Sequence, residues 1–333
     1  MNNDLISVIL PVYNGEKTIN NTIESILNQT HNNFQLIIVD DGSTDKTSDI
    51  CKKYIGKNVE YYSNSNHGVS YSRNFALEKS RGKYLTFVDS DDEYENQYLE
   101  KMLTLMKQNN SDLVCCGYKT FDKIEKEFSS LKNIFSSKED FVETLQNELL
   151  FNQIWNKMYK LDIIKKYDIK FDDELSIAED WKFNIEYLSK IETFNNSSDI
   201  LYKYRITNNG LGFKYRENIG TIKIDLVTEM LKKISNNIYT EFISRSYIKQ
   251  YYSLFSTILD SRNKMKFSSK KKKIKEIILK REYIDCISKC NVKNWKMRLL
   301  LNILKSRNIF FIVIFSGAAN LYDKIYKKNK LGL

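Results

Sequence analysis

Asp89-Ser90-Asp91-Asp92 puts three carboxylates within four residues. Such charges repel one another unless solvent or a cation neutralises them, and hard divalent cations prefer oxygen ligands of this kind. Mg²⁺ is usually held by one or two carboxylates and completes its shell with water and substrate phosphates. A cation here would bridge a diphosphate and stabilise its charge as it leaves. An isolated acid run reads as readily as a solvated loop or a helix N-cap. Position favours the cation: the run follows directly on Lys83-Tyr-Leu-Thr-Phe-Val88, which has the pattern of a buried strand.

Three other groups invite the same question. Asp40-Asp41-Gly42-Ser43 follows the apolar run Gln35–Val39. It is either a strand-to-helix turn with an N-cap, or it offers a carboxylate to a nucleobase N–H. Glu179-Asp180 opens an amphipathic segment carrying Trp181, Phe183, Ile185 and Leu188. These acids either complement the helix dipole or supply the base that deprotonates a hydroxyl. Arg73-Asn74 lies in the helical stretch Ser70–Lys79, where the arginine pairs with a diphosphate or with a surface acid. The two histidines, His31 and His67, have no triad context, so a carboxylate is the better base. No glycine-rich phosphate loop follows any strand, which leaves more of the phosphate binding to a metal.

The elements that must position these groups alternate at short intervals. Strand patterns at Ser7–Tyr13, Gln35–Val39, Val59–Tyr62 and Lys83–Val88 are separated by helical periods beginning at Thr18, running through Ile50 and Tyr54, and spanning Ser70–Lys79. This alternation predicts an open α/β sheet with helices on both faces. Ligands bind beyond the carboxyl ends of such strands, where Pro11–Asn14, Asp40–Asp45 and Asp89–Asp92 all fall. Tyr98 to Gly117 reads as helix then strand, and residues 138–150 and 160–167 as helices. Asn208-Asn209-Gly210 marks a turn, and the helical period dominates beyond residue 220.

With 333 residues, 42% of them hydrophobic, the chain can bury a substantial core. Cys51, Cys115, Cys116, Cys286 and Cys290 show no metal-ligand spacing with histidine; an odd, scattered set and the lack of a leader pattern at Met1–Ile6 predict a cytoplasmic protein. The charge is uneven. Residues 261–333 hold 20 Lys+Arg against 4 Asp+Glu, leaving 32 basic and 38 acidic residues in the rest. That points the C-terminal end at a polyanionic surface; without a helix-turn-helix or RNP signature, nucleic acid is not expected. Asn308-Ile-Phe-Phe-Ile-Val-Ile-Phe-Ser316 is apolar but falls short of the ~20 residues a bilayer span needs. Lys305 and Arg307 precede it; Lys324, Lys327, Lys328 and Lys330 follow. It reads as a helix lying in a membrane interface, with a packed C-terminal helix or a homodimer contact as the other readings.

The motifs together resemble the large family-2 class of inverting glycosyltransferases with the GT-A fold. The resemblance is carried by Ser7-Val-Ile-Leu-Pro-Val-Tyr-Asn14, Ile38-Val-Asp-Asp-Gly-Ser-Thr-Asp45, Arg73-Asn74, Gly82-Lys-Tyr-Leu-Thr-Phe-Val-Asp-Ser-Asp-Asp92, Trp155-Asn-Lys-Met-Tyr159 and Glu179-Asp180. It covers roughly residues 5–210 and is tightest over 5–92. It implies a GT-A catalytic domain over 1–215, with an open, mixed, mostly parallel sheet; charge and helical period make 216–333 a basic helical region. It implies a UDP-sugar donor bound by Pro11, Tyr13, Asp41, Arg73 and Ser90, a Mn²⁺ or Mg²⁺ ion on Asp89 and Asp91, and Asp180 as general base. The implied reaction is a single in-line displacement that inverts an α-linked donor to a β-linked product. The Gln-x-x-Arg-Trp signature of processive members is missing, which implies one sugar per encounter. A lipid-linked or glycan acceptor, capsule or other cell-surface polysaccharide synthesis and the inner face of the membrane are the implied setting. A nucleotide-sugar-binding protein without catalysis is the alternative; it would require loss of the metal acids or the base, and none is lost.

Overall fold

The structure is a computed structural model that describes residues 4–108, 110–122, 125–130, 134–148, 150–175, 177–206, 219–234 and 241–317. The chain divides into two compact units, Met1–Thr207 and Asn208–Leu333. The expected boundary at 215/216 and the turn at Asn208-Asn209-Gly210 lie outside the described residues.

The first unit contains strands β1 (Ile6–Val12), β2 (Phe34–Asp40), β3 (Val59–Ser63), β4 (Tyr84–Phe87), β5 (Glu93–Tyr94), β6 (Leu113–Phe121), β7 (Lys126–Phe128), β8 (Lys157–Lys160) and β9 (Phe194–Arg205). Its helices are α1 (Ile19–Leu27), α2 (Thr47–Lys52), α3 (Val69–Lys79), α4 (Tyr98–Gln108), α5 (Lys138–Asn147), α6 (Leu161–Lys166) and α7 (Glu179–Leu188). The strands form one sheet in the order β3-β2-β1-β4-β8-β6-β9-β5, with β7 paired to β6. β3, β2, β1 and β4 run parallel. Every residue of β1 and β2 is buried, as near-continuous apolar runs in the middle of a parallel sheet must be. Beyond β4 the sheet is mixed: β8 is antiparallel to both β4 and β6, while β9 is parallel to β6.

Register makes the site. Val12 pairs with Asp40 and Ile9 with Phe87, so the loops after β1, β2 and β4 leave one edge of the sheet. The parallel half matches the expected strands, and α5 and α6 match the expected helices. The mixed half is less visible in the sequence. β8 is Lys-Met-Tyr-Lys, and in β9 Phe194 is followed by Asn195-Asn196-Ser197-Ser198-Asp199, residue types that ordinarily mark turns.

Among its described residues the second unit is helical: α8 (Ile219–Ile234), α9 (Glu241–Leu259), α10 (Phe267–Leu279), α11 (Arg281–Lys289), α12 (Trp295–Ser306) and α13, described over residues 309–317. α9 is the centre; α8, α10, α11 and α12 all pack on it. Ile248, Phe255 and Ile258 of α9 are fully buried, as is Ile274 of α10. Tyr251 meets Tyr283 of α11 edge to face, and the Tyr283 hydroxyl donates to the Leu304 carbonyl of α12. Gly220 is required where α8 meets α9, since a Cβ there would lie 2.6 Å from Leu254 Cα. Among the described residues no helix is long and apolar enough to cross a membrane.

Candidate active site

The loops after β1 and β2 are laced together. Asn14 takes a left-handed backbone (φ 52°). Its N–H donates to Ser43 Oγ at 2.9 Å and its side-chain oxygen accepts the Thr44 N–H at 2.8 Å. The Gly15 N–H donates to Thr47 Oγ1 and the Glu16 N–H to Asp45 Oδ2. Pro11 is buried within β1, in register with Val39, whereas Tyr13 just beyond the strand is 50% exposed and free to meet a ring.

Adjacent acids divide the work in the second loop. Asp40 closes its own turn, accepting from the Ser43 N–H and the Tyr61 hydroxyl. Asp41 holds the loop before α3: its two oxygens accept the His67 N–H at 2.9 Å and the Gly68 N–H at 2.8 Å. Each oxygen keeps a further lone pair. Gly68 (φ 95°) takes the left-handed turn that aims both N–H groups at Asp41.

The acid cluster splits in the same way. Asp92 is fully buried and accepts the Tyr202 hydroxyl and the Arg205 N–H, both at 2.7 Å. It is an internal anchor. The Arg205 side chain continues the clasp, donating from Nε to the Asp91 carbonyl and pairing with Glu93 and Asp122. On the other flank, Thr22 Oγ1 of α1 donates to the carbonyls of Ser90 and Asp92. So fastened, the loop turns Asp89, Ser90 and Asp91 outward, all half-buried. Burial, reinforced by the neighbouring Asp89 charge, pushes the Asp91 carboxyl up to about 6.

Arg73 joins the acid loop to the start of α7. It is 3% exposed. Nη2 donates to Asp89 Oδ1 at 3.0 Å, and Nη1 to Asp180 Oδ1 at 2.7 Å and Glu179 Oε1 at 3.2 Å. Its guanidinium lies over the Phe171 ring, 5.3 Å from the centroid. Burial works against its charge, but Asp180, Asp89 and Glu179 outweigh that and hold it protonated. The next residue fixes the same strap: Asn74 Nδ2 donates to the Phe171 carbonyl and its Oδ1 accepts the Phe171 N–H. Phe171 in turn stacks on Phe183 of α7 at 4.3 Å. Arg73-Asn74 is thus the joint between α3 and the segment that delivers Asp180.

Asp180 is enclosed, with 24% of its side-chain surface open. Burial raises its carboxyl to about 7; Arg73 pulls the other way, and Glu179 and Asp89 add to the rise. A carboxylate held near neutrality and aimed by a fixed arginine is suited to accept a proton from a hydroxyl. Behind it, Lys157 of the Trp155–Tyr159 motif is wholly buried and donates to the carbonyls of Leu150 and Gln153 and to Asn156 Oδ1. That lysine braces the loop before β8.

Asp89 and Asp91 are a pair, not a cage. Among the described residues no group of three or more His, Cys, Asp or Glu side chains would hold a metal ion. Two carboxylates nonetheless fit a Mg²⁺ or Mn²⁺ ion that takes its other ligands from a diphosphate and water. The structure therefore joins Asp89, Arg73 and Asp180 directly and sets Pro11, Tyr13, Asp41 and Ser90 on the neighbouring strand ends. Thr22, Tyr202 and Arg205 were not legible as site residues: no motif marks them, and Tyr202 and Arg205 act across more than a hundred residues of chain.

Comparison with known proteins agrees with this geometry. The family model for glycosyl transferase family 2 matches residues 7–168. A glycosyltransferase of Haemophilus influenzae is 34% identical over 236 residues, 67% of this chain and 93% of that protein. The poly(ribitol-phosphate) β-N-acetylglucosaminyltransferase TarP of Staphylococcus aureus is 33% identical over 212 residues, 61% of this chain and 63% of TarP. Among solved structures, S. aureus TarS 1–349 in complex with UDP superposes with a TM-score of 0.70 at 22% identity, over 95% of this chain and 91% of that one. The acid loop, the arginine joint and the helix-borne carboxylate thus sit in a GT-A fold, and the chain belongs to glycosyl transferase family 2 and is a glycosyltransferase.

Proposed function

We propose that this enzyme moves one sugar from a UDP-sugar to a hydroxyl of a lipid-linked or glycan acceptor in cell-surface polysaccharide synthesis, with inversion at the anomeric carbon. The observation that carries the reading is the single guanidinium of Arg73, bonded at once to Asp89 and Asp180. It sets the base and the carboxylate nearest the leaving diphosphate in one fixed frame. Relatives support the donor and the setting: TarS has been solved with UDP and with UDP-GlcNAc, and TarP is named for transfer of N-acetylglucosamine to poly(ribitol-phosphate).

In this reading Tyr13 and Asp41 meet the uracil, with Pro11 shaping the floor beneath them. Asp41 is already oriented by the His67 and Gly68 N–H groups and uses a remaining lone pair toward the base. Ser90 faces the donor, and Arg73, buried beneath the acids, acts through Asp89 and Asp180 rather than by the direct donor contact expected from the sequence. Asp89 and Asp91 would hold a divalent cation, which when bound neutralises charge developing on the departing diphosphate. Asp180 takes the proton of the acceptor hydroxyl. The acceptor oxygen forms its bond to the anomeric carbon as the bond to the diphosphate oxygen breaks, and the electron pair leaves with UDP. Attack from the face opposite the leaving group gives the inverted linkage.

UDP release from a panel of UDP-sugars, with and without Mn²⁺, tests the reading. Asp180→Asn should keep UDP binding and lose transfer. Loss of both together would make Asp180 a structural residue and remove the mechanism.

A further inference from the structure

We propose that the outer face of α13 docks on an anionic lipid surface. α13 is apolar from Ile309 to Phe315, and Ile312 and Ser316 are both fully buried. Phe310, Phe311, Ile314 and Phe315 stay 64%, 47%, 46% and 37% exposed. Positions 310 and 314, and 311 and 315, are each one helical turn apart, so the four side chains make one stripe along the helix. A contiguous stripe of large apolar side chains is costly to leave in water and marks an interaction surface.

Charge selects the occupant. Residues 261–333 carry 20 Lys+Arg and 4 Asp+Glu, and Lys305 and Arg307 immediately precede the stripe. Arg307, in the left-handed conformation that ends α12, is exposed at the entry to α13. A second copy docking face to face would bring two strongly positive surfaces together. An anionic leaflet instead neutralises the flanking cations while the phenylalanines enter the acyl boundary. The apolar run Asn308–Ser316 falls short of the ~20 residues a bilayer span needs, which favours a stripe lying in the plane of the surface. This surface is independent of the sugar-transfer reading, since none of its residues belongs to the acid loop, α3 or α7.

Co-sedimentation of the full chain with vesicles tests it, comparing phosphatidylcholine alone with an equimolar mixture of phosphatidylcholine and phosphatidylglycerol. The full chain should pellet with the anionic vesicles, release with rising salt and stay largely in solution with the neutral ones. Phe310→Glu/Ile314→Glu should lower partitioning about ten-fold or more. Its melting temperature and its UDP release should match the parent. Phe311→Ser/Phe315→Ser is a second variant, read where the first fails to fold. Equal pelleting of parent and variants overturns the proposal, as does equal pelleting with neutral and anionic vesicles. It also fails if light scattering shows a dimer that the variants dissociate while vesicle binding stays unchanged, since a second copy would then be the occupant.

Discussion

Arg73 Nη1 lies 2.7 Å from Asp180 Oδ1, and Nη2 of the same guanidinium lies 3.0 Å from Asp89 Oδ1. A lysine would keep the charge but not the fork, because an ammonium is a point donor and cannot hold two separated carboxylates in a fixed frame. Arg73→Lys should therefore lower kcat/KM for UDP release by about 100-fold. Arg73→Ala leaves three acids without a counter-charge and should cost about 3–5 kcal/mol of stability, much more than the lysine variant. Denaturant melts beside initial rates measure both. Parental rates in Arg73→Lys would show that the fork does not position the base.

The pH profile follows from Asp180. Burial raises its carboxyl to about 7, and as the proposed base it would act in the ionised form, so kcat/KM should climb as pH rises through that value and level off above it. Arg73 is the larger of the two charges that favour the carboxylate, Lys157 being the other, so Arg73→Ala should move the limb to higher pH. Stability runs the other way. A carboxyl raised in the folded state binds its proton more tightly there, giving stability that is full below pH ~4 and is lost as pH rises through about 7. Asp180→Asn should flatten that decline in melts across the same range. A profile with no limb near neutrality would assign the base elsewhere.

The proposed cation site offers two carboxylates, Asp89 and Asp91, and among the described residues no group of three or more His, Cys, Asp or Glu side chains could hold a metal ion. Mn²⁺ alone should therefore raise the melting temperature little, and Mn²⁺ with UDP should raise it by several degrees more than either alone. Asp91→Ala should remove that extra increment and abolish cation-dependent turnover. An equal shift from Mn²⁺ with and without UDP would mean that the cation does not need the diphosphate, and a different site would hold it.

The parallel half of the sheet was open to reading because its strands are continuous buried apolar runs, and register alone then brings Tyr13, Asp41 and Asp89 to one edge. The same logic could not place the partners. That Asp92 points inward while Asp89 and Asp91 point outward depends on Tyr202 and Arg205, which arrive on a strand with asparagine and serine near its start. Glu179-Asp180 looked equally like first-turn acids. Only the tertiary joint made by Arg73 and Asn74 separates them from ordinary dipole dressing. Identical residue types thus carried different tasks in both acid runs, and long-range hydrogen bonds assigned them.

Tyr202 supplies the final test because its hydroxyl serves two members of the acid loop. It donates to Asp92 Oδ2 at 2.7 Å and accepts the Asp89 N–H at 3.3 Å, while its ring stacks on Trp155 at 4.2 Å. Tyr202→Phe keeps the stack and deletes only the oxygen. Asp92 is fully buried, so one of its oxygens loses a partner that water cannot easily replace. The expected cost is about 1.5–3 kcal/mol in denaturant melts. Because the loop that carries Asp89 and Asp91 then loses one of the clasps it shares with Thr22, Arg73 and Arg205, UDP with Mn²⁺ should also bind more weakly in calorimetry. Tyr204, whose ring likewise lies against Trp155 but which gives Asp92 no hydrogen bond, is the control. Tyr204→Phe should leave both measurements near parental, and equal losses in the two variants would trace the effect to the aromatic stack rather than to the clasp on Asp92.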